Sequence, residues 1–570
     1  MVLAAKPEGD LQPHSVVTPL DGCVTTSCGY CHRKDASATM YRMLCDYLTP
    51  EDYQDLIDRN WRRSGYLLYR RDFNTTCCPT FSIRLNIHDF HPSKQDRKTV
   101  NRLNRYLRTP TGGQAGSQTL TSTRNIGRGS TATQRYVVDQ TGKPATLPPR
   151  KFRRVDPNNL YMRMYQRFED CIMDGSDWRH HTDIVHKLRV VTEPARFEKE
   201  SFEMFLRFQK AVHHDDTSRW DQDKYALFLC MQPILSQHFD GTFVNRDSTP
   251  ADEPPSPSMQ ARETDGSEVS EGISISDSSD LEEADENPPH TAKATRVNSG
   301  QRTSPSLAST VTLSHQYSDG QQSGDALPTV YGSYHQKYYL GSTLVAVGVI
   351  DILPSSVTSV YLFYEPEYHF LSLGRYCALR EIAFTKRLRA AYPHLLGRLN
   401  YYVMGLYIHN CPKMRYKGTF HPSELLDPVT YQWCPLDEVH TTLDKGDSTS
   451  LVPISIPAHP SDLHSLPPSS LPWYQRVGTE VPATGTKQLI TPLLAQALKL
   501  PPMGFLLPCE LREEVWREML VLVRGKCYRA DDLRKINERC RQPLEMYYAS
   551  VGHDLAKRLI VSPYQAWRST

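Results

Sequence analysis

The pattern of apolar positions is clearest between residues 328 and 445, where it predicts a folded block. Residues 344–353 and 359–366 are rich in β-branched and aromatic side chains and flank the turn-forming sequence PSSVT, so they are predicted to form a hairpin. Ser372 then precedes a helical stripe that runs toward Leu388, and residues 399–408 return as a buried strand. The predicted order is strand, strand, helix, strand.

Helical spacing also marks three other parts of the chain. In the first, Val100, Leu103 and Leu107 share one face of a predicted helix. Residues 151–240 are predicted to be a helical segment that packs with the block at 328–445, and residues 489–570 a helical C-terminal extension.

Composition separates these blocks by stretches that lack the apolar residues of a core. Residues 109–150, 241–327 and 446–488 are rich in Gly, Ser, Thr or Pro and are predicted to be a flexible insert, an acidic disordered insert and a linker. Residues 251–290 contain twelve Asp or Glu against one Arg, whereas the 570-residue chain has a net charge of +2. The remainder is therefore basic, which suits a polyanionic partner.

The cysteines are predicted to be thiols or metal ligands. There are 14 of them in a long chain whose first residues hold only a short apolar run, so we expect no export signal and no disulfide framework. No apolar run approaches the ~20 residues that span a bilayer, and we expect no membrane association.

Four cysteines have spacings that suit a metal. Cys28 and Cys31 form a C-x-x-C pair, and the adjacent Cys77 and Cys78 could complete four thiolate ligands for zinc or an iron-sulfur cluster. Cys23 and His32 are substitutes for one of the adjacent pair. Reduced structural thiols are the alternative.

A strongly basic stretch overlaps the end of this cysteine-rich block, which covers residues 16–108. Between residues 59 and 108 there are twelve Arg or Lys against three Asp. Such a surface can contact phosphates, although a solvated basic face is the alternative. The candidate RNA contacts are Arg62, Arg63, Lys94, Lys98, Arg102 and Arg105.

The block at 328–445 carries the candidate catalytic groups. Its element order is typical of the acyltransferase core of N-acetyltransferases, a mixed sheet with helices. Asp351 lies in an otherwise apolar strand, so it is expected either to have a cationic partner or to line a cavity, unless it lies at an edge facing water. His409, Lys413 and Lys417 follow the last strand and could form a cationic rim, or plain surface.

At these residues the sequence resembles the eukaryotic arginyltransferase family. The matching stretches are CGYC at 28–31 and residues 48–79, 207–216, 332–340, 344–384 and 401–418. They cover about half of the chain, and the residues after 489 lie outside them.

The resemblance implies a metal-binding N-terminal domain and an N-acetyltransferase-like catalytic domain, hence an α+β protein. It implies zinc or an iron-sulfur cluster at Cys28, Cys31, Cys77 and Cys78, and no nucleotide cofactor apart from arginyl-tRNA as donor. The acceptors would be proteins beginning with Asp, Glu or oxidised Cys, which are thereby marked for ubiquitin-dependent degradation in the cytoplasm and nucleus.

The reaction implied by the resemblance requires a carboxylate, hydrogen-bond donors and cations around an activated ester. Asp351 is the first candidate, to contact either the attacking amine or the arginyl side chain, and Glu381 is the second, for the arginyl side chain. Cations would bind the acidic acceptor or the terminal phosphate, and tyrosines would frame the pocket. These candidates are Arg380, His409, Lys413 and Lys417 for the cations and Tyr338 and Tyr407 for the frame.

Two other functions are compatible with the residues. One is an acetyl-CoA-dependent N-acetyltransferase, which the single glycine of the sequence SLGRY makes less attractive because such enzymes use a fuller Gly-rich phosphate loop. The other is a non-catalytic RNA-binding adaptor with a zinc module, which would bind tRNA with or without its amino acid. The ubiquitin ligase machinery is a further expected partner of the arginyltransferase.

Overall fold

The computed structural model describes the chain in separate ranges. These are residues 3–5, 11–31, 37–73, 76–108, 137–138, 144–145, 185–244, 327–444, 451, 505–506, 511–536 and 538–562. Most of the predicted insert at 109–150, the acidic insert at 241–327, the linker at 446–488 and residues 151–184 lie outside them.

Two mixed β-sheets with flanking helices form the described part, so the α+β prediction is confirmed. The strands of the two sheets, in chain order, are β1 Val16–Ser27, β2 Ser37–Tyr47, β3 Arg62–Ser64, β4 Leu67–Arg71, β5 Phe81–Asn86, β6 Leu188–Pro194, β7 Gln237–His238, β8 Val330–Leu340, β9 Thr343–Ile352, β10 Ser356–Tyr364, β11 Tyr401–Tyr407, β12 Ser423–Leu426, β13 Trp433–Pro435, β14 Leu520–Val523, β15 Lys526–Arg529 and β16 Ile560–Val561. Two short strand pairs lie apart from them, Leu3–Ala5 with Leu11–Pro13 and Val137–Val138 with Pro144–Ala145.

The helices pack on these sheets. The α-helices are α1 Pro50–Ile57, α2 Lys94–Arg108, α3 Lys199–Phe208, α4 Gln222–Tyr225, α5 Leu373–Ala391, α6 Pro412–Arg415, α7 Leu436–Asp444, α8 Glu513–Glu518, α9 Ala530–Ile536, α10 Glu538–Val551 and α11 His553–Arg558. Single π-helical turns follow α3 and α4 at Gln209–His213 and Ala226–Cys230, and 3₁₀ turns occupy Thr217–Arg219, Pro366–Leu371 and Tyr416–Thr419.

The larger sheet, here called the central sheet, has the strand order β6-β8-β9-β10-β11-β5-β12-β13, with β7 also on β8. The predicted hairpin is confirmed, because β9 and β10 pair in antiparallel register, and helix α5 follows as predicted. Strands β10 and β11 are parallel and pair only at Ser356–Thr358 with Tyr401–Val403. Strand β5, from the cysteine-rich block, also lies in this sheet, beside β11.

The second sheet, here called the N-terminal sheet, has the order β15-β14-β16-β1-β2-β4-β3. Three of its strands come from residues 520–561, so this part of the chain is not the purely helical extension that its periodicity predicts. Strand β16 pairs in parallel with both β14 and β1. Trp516 and Tyr548 of the adjoining helices are buried in the same core as Trp61.

The segment predicted as helical at 151–240 is also mixed where it is described. Strand β6 precedes helix α3 and forms an edge of the central sheet by pairing with β8. Helix α3, which is part of the predicted helical content, buries Phe202 and Phe205. Within the described ranges, no helix combines the length and apolar character needed to cross a bilayer.

Candidate active site and metal centre

A small cavity opens where β10 and β11 cease to be paired. Beyond Thr358 and Val403 the two parallel strands exchange no further ladder bonds, and side chains from both line the space. Helix α5 closes one side with positions four and three residues apart, which share a helix face. The lining residues are Ser359, Tyr361, Leu362, Gly374, Ala378, Glu381, Tyr402, Met404, Tyr416, Lys417 and Phe420.

Glu381 is the buried carboxyl group of this cavity. The Tyr402 hydroxyl donates to its Oε2 at 2.6 Å, and the Ser359 hydroxyl is a second hydrogen-bond partner. Its Oε1 lies 2.7 Å from where a Cβ on Gly348 would be, so strand β9 makes room for the carboxyl by having a glycine there. Burial raises the pKa of Glu381 from 4.5 to about 7, against the lowering effect of the two hydroxyls. Such a group exchanges a proton readily at neutral pH.

Lys417 brings a cation to the same cavity. Its side chain is buried and its Nζ donates to the carbonyl of Leu406 at 3.0 Å. Of the residues predicted as site residues, Glu381 and Lys417 are the two that line this space.

Asp351 lies elsewhere, in a buried bridge between the two sheets. Its carboxylate accepts from Nε and Nη2 of Arg63 at 2.8 and 2.5 Å and from the Ser333 hydroxyl at 2.5 Å. Asp351 is fully buried and does not line the cavity described above. The cationic partner that its apolar strand requires is therefore Arg63, and the geometry gives this pair the role of joining the sheets.

Arg380 and Tyr338 are buried next to the cavity without lining it. Arg380 is hydrogen-bonded to the Tyr376 hydroxyl, and the Tyr338 hydroxyl donates to Gln336 at 2.5 Å. Tyr407 lies at the end of β11, where its hydroxyl is 2.9 Å from Nδ1 of His409. Lys413 is exposed on the short helix α6. The catalytic and binding roles assigned to these residues from the sequence stay predictions.

The four predicted cysteines do come together, at a candidate metal centre. The Sγ atoms of Cys28, Cys31, Cys77 and Cys78 all lie within 4.8 Å of one another, and those of Cys31 and Cys77 are 3.6 Å apart. Cys77 and Cys78 lie in a bend and not in a strand, so neither cysteine of the adjacent pair is forced to the opposite face. Cys23 is exposed and outside the cluster, and His32 lies outside the described residues.

This thiol cluster suits a cation. Burial raises the pKa of Cys77 to about 11, with the neighbouring Cys28 and Cys31 adding to the rise, and it also raises the pKa of Cys78. A bound metal ion reverses that effect, because it stabilises each thiolate by direct coordination. The N-terminal cysteine cluster could thus bind a metal.

The basic residues predicted to contact RNA fall into two groups. Arg62 and Arg63 are buried, and Arg62 donates to the carbonyl of Trp61, so both lie inside the protein and not on a surface that RNA could reach. Lys94, Lys98 and Arg105 are exposed on helix α2.

Arg102 is half-buried on the same helix. It donates to the Ser372 hydroxyl at 2.6 Å and to the carbonyl of Phe370 at 3.2 Å. It therefore connects helix α2 to the start of helix α5, where the Ser372 side chain accepts from Arg102 and does not cap the helix.

Sequence reasoning missed the residues that surround Glu381. Ser359 and Tyr402 were predicted only as strand positions, and Gly348 was not singled out. The sequence does contain one signal for this site. Gly348 in β9 and Glu381 in α5 each lie inside a largely apolar run.

A cavity that contains a buried carboxyl group titrating near neutrality, a buried ammonium group and several phenols is the arrangement of an enzyme. Two family models match this chain, the N terminus of arginine-tRNA-protein transferase at residues 26–98 and its C terminus at residues 200–427. The arginyl-tRNA–protein transferase 1 of Arabidopsis thaliana is 31% identical over 487 residues, which cover 76% of this chain and 74% of the relative. The chain therefore belongs to the arginyl-tRNA–protein transferase family, as its resemblance predicts.

Two further relatives extend the comparison. The arginyl-tRNA–protein transferase 1 of Drosophila melanogaster is 29% identical over 445 residues, covering 73% of this chain and 82% of the relative. An aspartate/glutamate leucyltransferase of Campylobacter jejuni is 32% identical over 93 residues, covering 16% of this chain and 35% of the relative. Both are transferases by name, and so is the family of this chain.

Proposed function

We propose that this enzyme transfers arginine from arginyl-tRNA to the N-terminal α-amine of proteins that begin with Asp, Glu or oxidised Cys. The observation that carries the proposal is Glu381, a carboxyl group of raised pKa at the point where β10 and β11 part. Family membership supports the donor and the reaction. The separation of two parallel strands beside a helix supports an N-acetyltransferase-like catalytic core.

In the proposed reaction the α-amine attacks the arginyl carbonyl carbon. A carbon–nitrogen bond forms as the ester bond to the tRNA ribose breaks. Glu381 accepts the proton that the amine loses and passes it to the departing ribose oxygen, which leaves as a hydroxyl. A pKa of about 7 for Glu381 lies just below the ~7.7–8.0 of an α-amine, so the proton can pass in either direction at low cost. Tyr402 and Ser359 orient the carboxyl group.

Lys417 is proposed to recognise the acidic first residue of the acceptor. It is the basic residue among those that line the cavity, and a buried ammonium group favours a carboxylate partner strongly. The name of the Campylobacter relative, which contains both Asp and Glu, supports an acidic acceptor for the shared segment.

The test is a transfer assay with tRNA charged with arginine or lysine, on peptides beginning with Asp or Ala. We expect transfer only from arginyl-tRNA to the Asp peptide. Glu381→Gln should lower kcat by roughly 10²–10⁴-fold, as expected for loss of a general base, with little change in KM. Glu200→Gln, at an exposed position on helix α3, is the matched control. Equal rates for Glu381→Gln and the control would reject Glu381 as the base, and transfer of lysine would reject the donor.

We further propose that the cysteine cluster binds a single zinc ion. Four thiolates at the usual Zn–S distance of about 2.3 Å lie roughly 3.8 Å apart, which agrees with the 3.6 Å between Cys31 and Cys77. An iron-sulfur cubane is a poorer match because each thiolate binds a different iron, which spreads the sulfurs apart. Zinc would hold the bend at residues 77–78 against the CGYC turn.

The metal content of the purified protein distinguishes a zinc ion from an iron-sulfur cluster at this site. We expect about one zinc per chain, little iron or acid-labile sulfide, and loss of the zinc in Cys31→Ser but not in Cys527→Ser, which changes an exposed cysteine. Stoichiometric iron and sulfide with visible absorption would overturn the choice of zinc.

The exposed basic face of helix α2, consisting of Lys94, Lys98 and Arg105, is proposed to contact the tRNA backbone. It is supported by its exposure and by its place beside Arg102, which reaches the start of helix α5 at the cavity. The cytoplasm and nucleus are the proposed location, where arginylated products would meet the ubiquitin ligase machinery.

A further inference from the structure

Two histidines and an aspartate meet where strand β11 approaches helix α7. His409 lies two residues after the end of β11, and His440 and Asp444 lie one turn apart on the same face of α7. Nε2 of His409 is 2.8 Å from Oδ1 of Asp444, and Nδ1 of His440 is 3.0 Å from Oδ2 of the same carboxylate. One nitrogen from each ring and a carboxylate oxygen all lie within 4.8 Å of one another.

These separations suit a small metal ion. Tetrahedral zinc with bonds of about 2.0–2.1 Å places its ligand atoms roughly 3.3 Å apart. Small side-chain rotations would therefore make room for the ion between atoms that are hydrogen-bonded to one another. Neutral imidazole and carboxylate are ligands that zinc and related divalent transition ions accept. The cluster contains no thiol, which makes it chemically distinct from the cysteine site.

The surroundings of His409 are those of a pre-positioned ligand. Its ring is 6% exposed, and the Tyr407 hydroxyl lies 2.9 Å from Nδ1, the nitrogen that faces away from Asp444. Metal-ligating histidines usually have such a partner on the second ring nitrogen, which fixes the tautomer and the ring orientation. His440 and Asp444 are 42% and 51% exposed, so an ion can enter from solvent.

One contact must change when the ion binds. Nη2 of Arg415 lies 3.5 Å from Nε2 of His440, a nitrogen that carries the proton once Nδ1 coordinates a metal. Arg415 is exposed, so its side chain can turn toward solvent at little cost.

We propose that His409, His440 and Asp444 form a second metal site, selective for a divalent transition ion and filled by zinc. The three side chains leave a fourth coordination position for water. The ion connects helix α7 to the end of strand β11. The segment between them includes Tyr416, Lys417 and Phe420 of the cavity wall, so the bound ion stiffens that wall.

The experiment uses the full chain with its cysteine site already filled, titrated with Co²⁺ and then with Zn²⁺. We expect one further equivalent of Co²⁺, with ligand-field absorption but without thiolate-to-cobalt charge transfer, and its displacement by Zn²⁺. His440→Ala, at a partly exposed position, should weaken binding at least tenfold, and Tyr407→Phe should weaken it roughly 10–100-fold through loss of the outer partner. His394→Ala, which changes an exposed histidine, should bind like the wild type.

Three results would overturn the site. The first is the absence of a further equivalent in the wild type, which would leave a hydrogen-bonded Tyr–His–Asp cluster only. The second is a further equivalent that His440→Ala retains with unchanged affinity. The third is charge-transfer absorption, which would place the added ion on cysteines.

Discussion

Arg63 and Asp351 offer a direct test of how the two sheets are held together. Arg63 belongs to β3 at the edge of the N-terminal sheet, and Asp351 belongs to β9 in the central sheet. Their side chains are 3% and 0% exposed, and the Ser333 hydroxyl completes the arrangement. Removal of either partner leaves the other as an uncompensated buried charge.

The expected cost follows from that burial. Breaking a buried ion pair by removing one partner typically costs about 3–5 kcal/mol, whereas replacing both charges by apolar side chains of similar volume is often close to neutral. The single variants Arg63→Met, Asp351→Leu and Asp351→Asn should therefore each lower the free energy of unfolding by about 3–5 kcal/mol. The double variant Arg63→Met/Asp351→Leu should recover most of that loss, so the two positions are strongly coupled.

The measurement is urea unfolding followed by tryptophan fluorescence, since Trp61 is buried two residues from Arg63. The arginine transfer rate per folded molecule is measured in parallel. We expect the double variant to retain transfer, because Asp351 does not line the cavity. If Asp351→Asn left stability within about 0.5 kcal/mol of the wild type and abolished transfer, Asp351 would be a catalytic residue and the reasoning from burial would be wrong.

Three further predictions concern the cavity, the RNA surface and the C-terminal segment. Burial raises the pKa of Glu381 from 4.5 to about 7, so between these pH values the folded state retains a proton that the unfolded state loses. At about 1.4 kcal/mol per pKa unit, the wild type should lose roughly 3 kcal/mol of stability between pH 4 and pH 8, and Glu381→Gln should not. Parallel stability profiles for the two proteins would contradict the burial of an ionisable group at this position. The double variant Lys94→Gln/Lys98→Gln should weaken tRNA binding and lower the slope of log affinity against log salt concentration by about 1 per lost contact. The control Lys526→Gln, at an exposed position, should leave the slope unchanged. An equal slope for both variants would mean that helix α2 does not contact the tRNA. Trp516 is 2% exposed, so Trp516→Ala should lower the free energy of unfolding in urea by about 3–5 kcal/mol. The control Tyr528→Ala, at an exposed position, should lower it by less than about 0.5 kcal/mol. Similar losses for the two variants would mean that residues 511–562 do not stabilise the N-terminal sheet.

Local periodicity predicted the elements whose pairing is also local. The hairpin β9–β10 and helix α5 are neighbours in sequence, and the face formed by Val100, Leu103 and Leu107 on helix α2 is buried as expected. The bend that brings Cys77 and Cys78 to the same site has no periodic pattern in the sequence. The four cysteines were therefore predicted as metal ligands from their spacing and from the family resemblance.

Long-range contacts could not be predicted from such patterns. A four-residue apolar run such as that of β14 does not encode its partner, and nothing local indicates that β5 lies beside β11. The same limit applies to side chains. Arg63 appears as one cation among many in the sequence, yet its burial against Asp351 depends on two sheets meeting. The hydroxyls of Tyr402 and Ser359 around Glu381 likewise come from different strands.

The position of β16 constrains how the chain can fold during synthesis. This two-residue strand lies between β14 and β1 in the middle of the N-terminal sheet, and its residues Ile560 and Val561 pair with Val16 and Val17. Ribosomes add residues in order, so strand β1 is made first but retains an open edge at Val16 and Val17 until residues 560–561 emerge. An unpaired edge recruits other strands. The edge of β1 at Val16 and Val17 is therefore open to competing strands until β16 pairs with it.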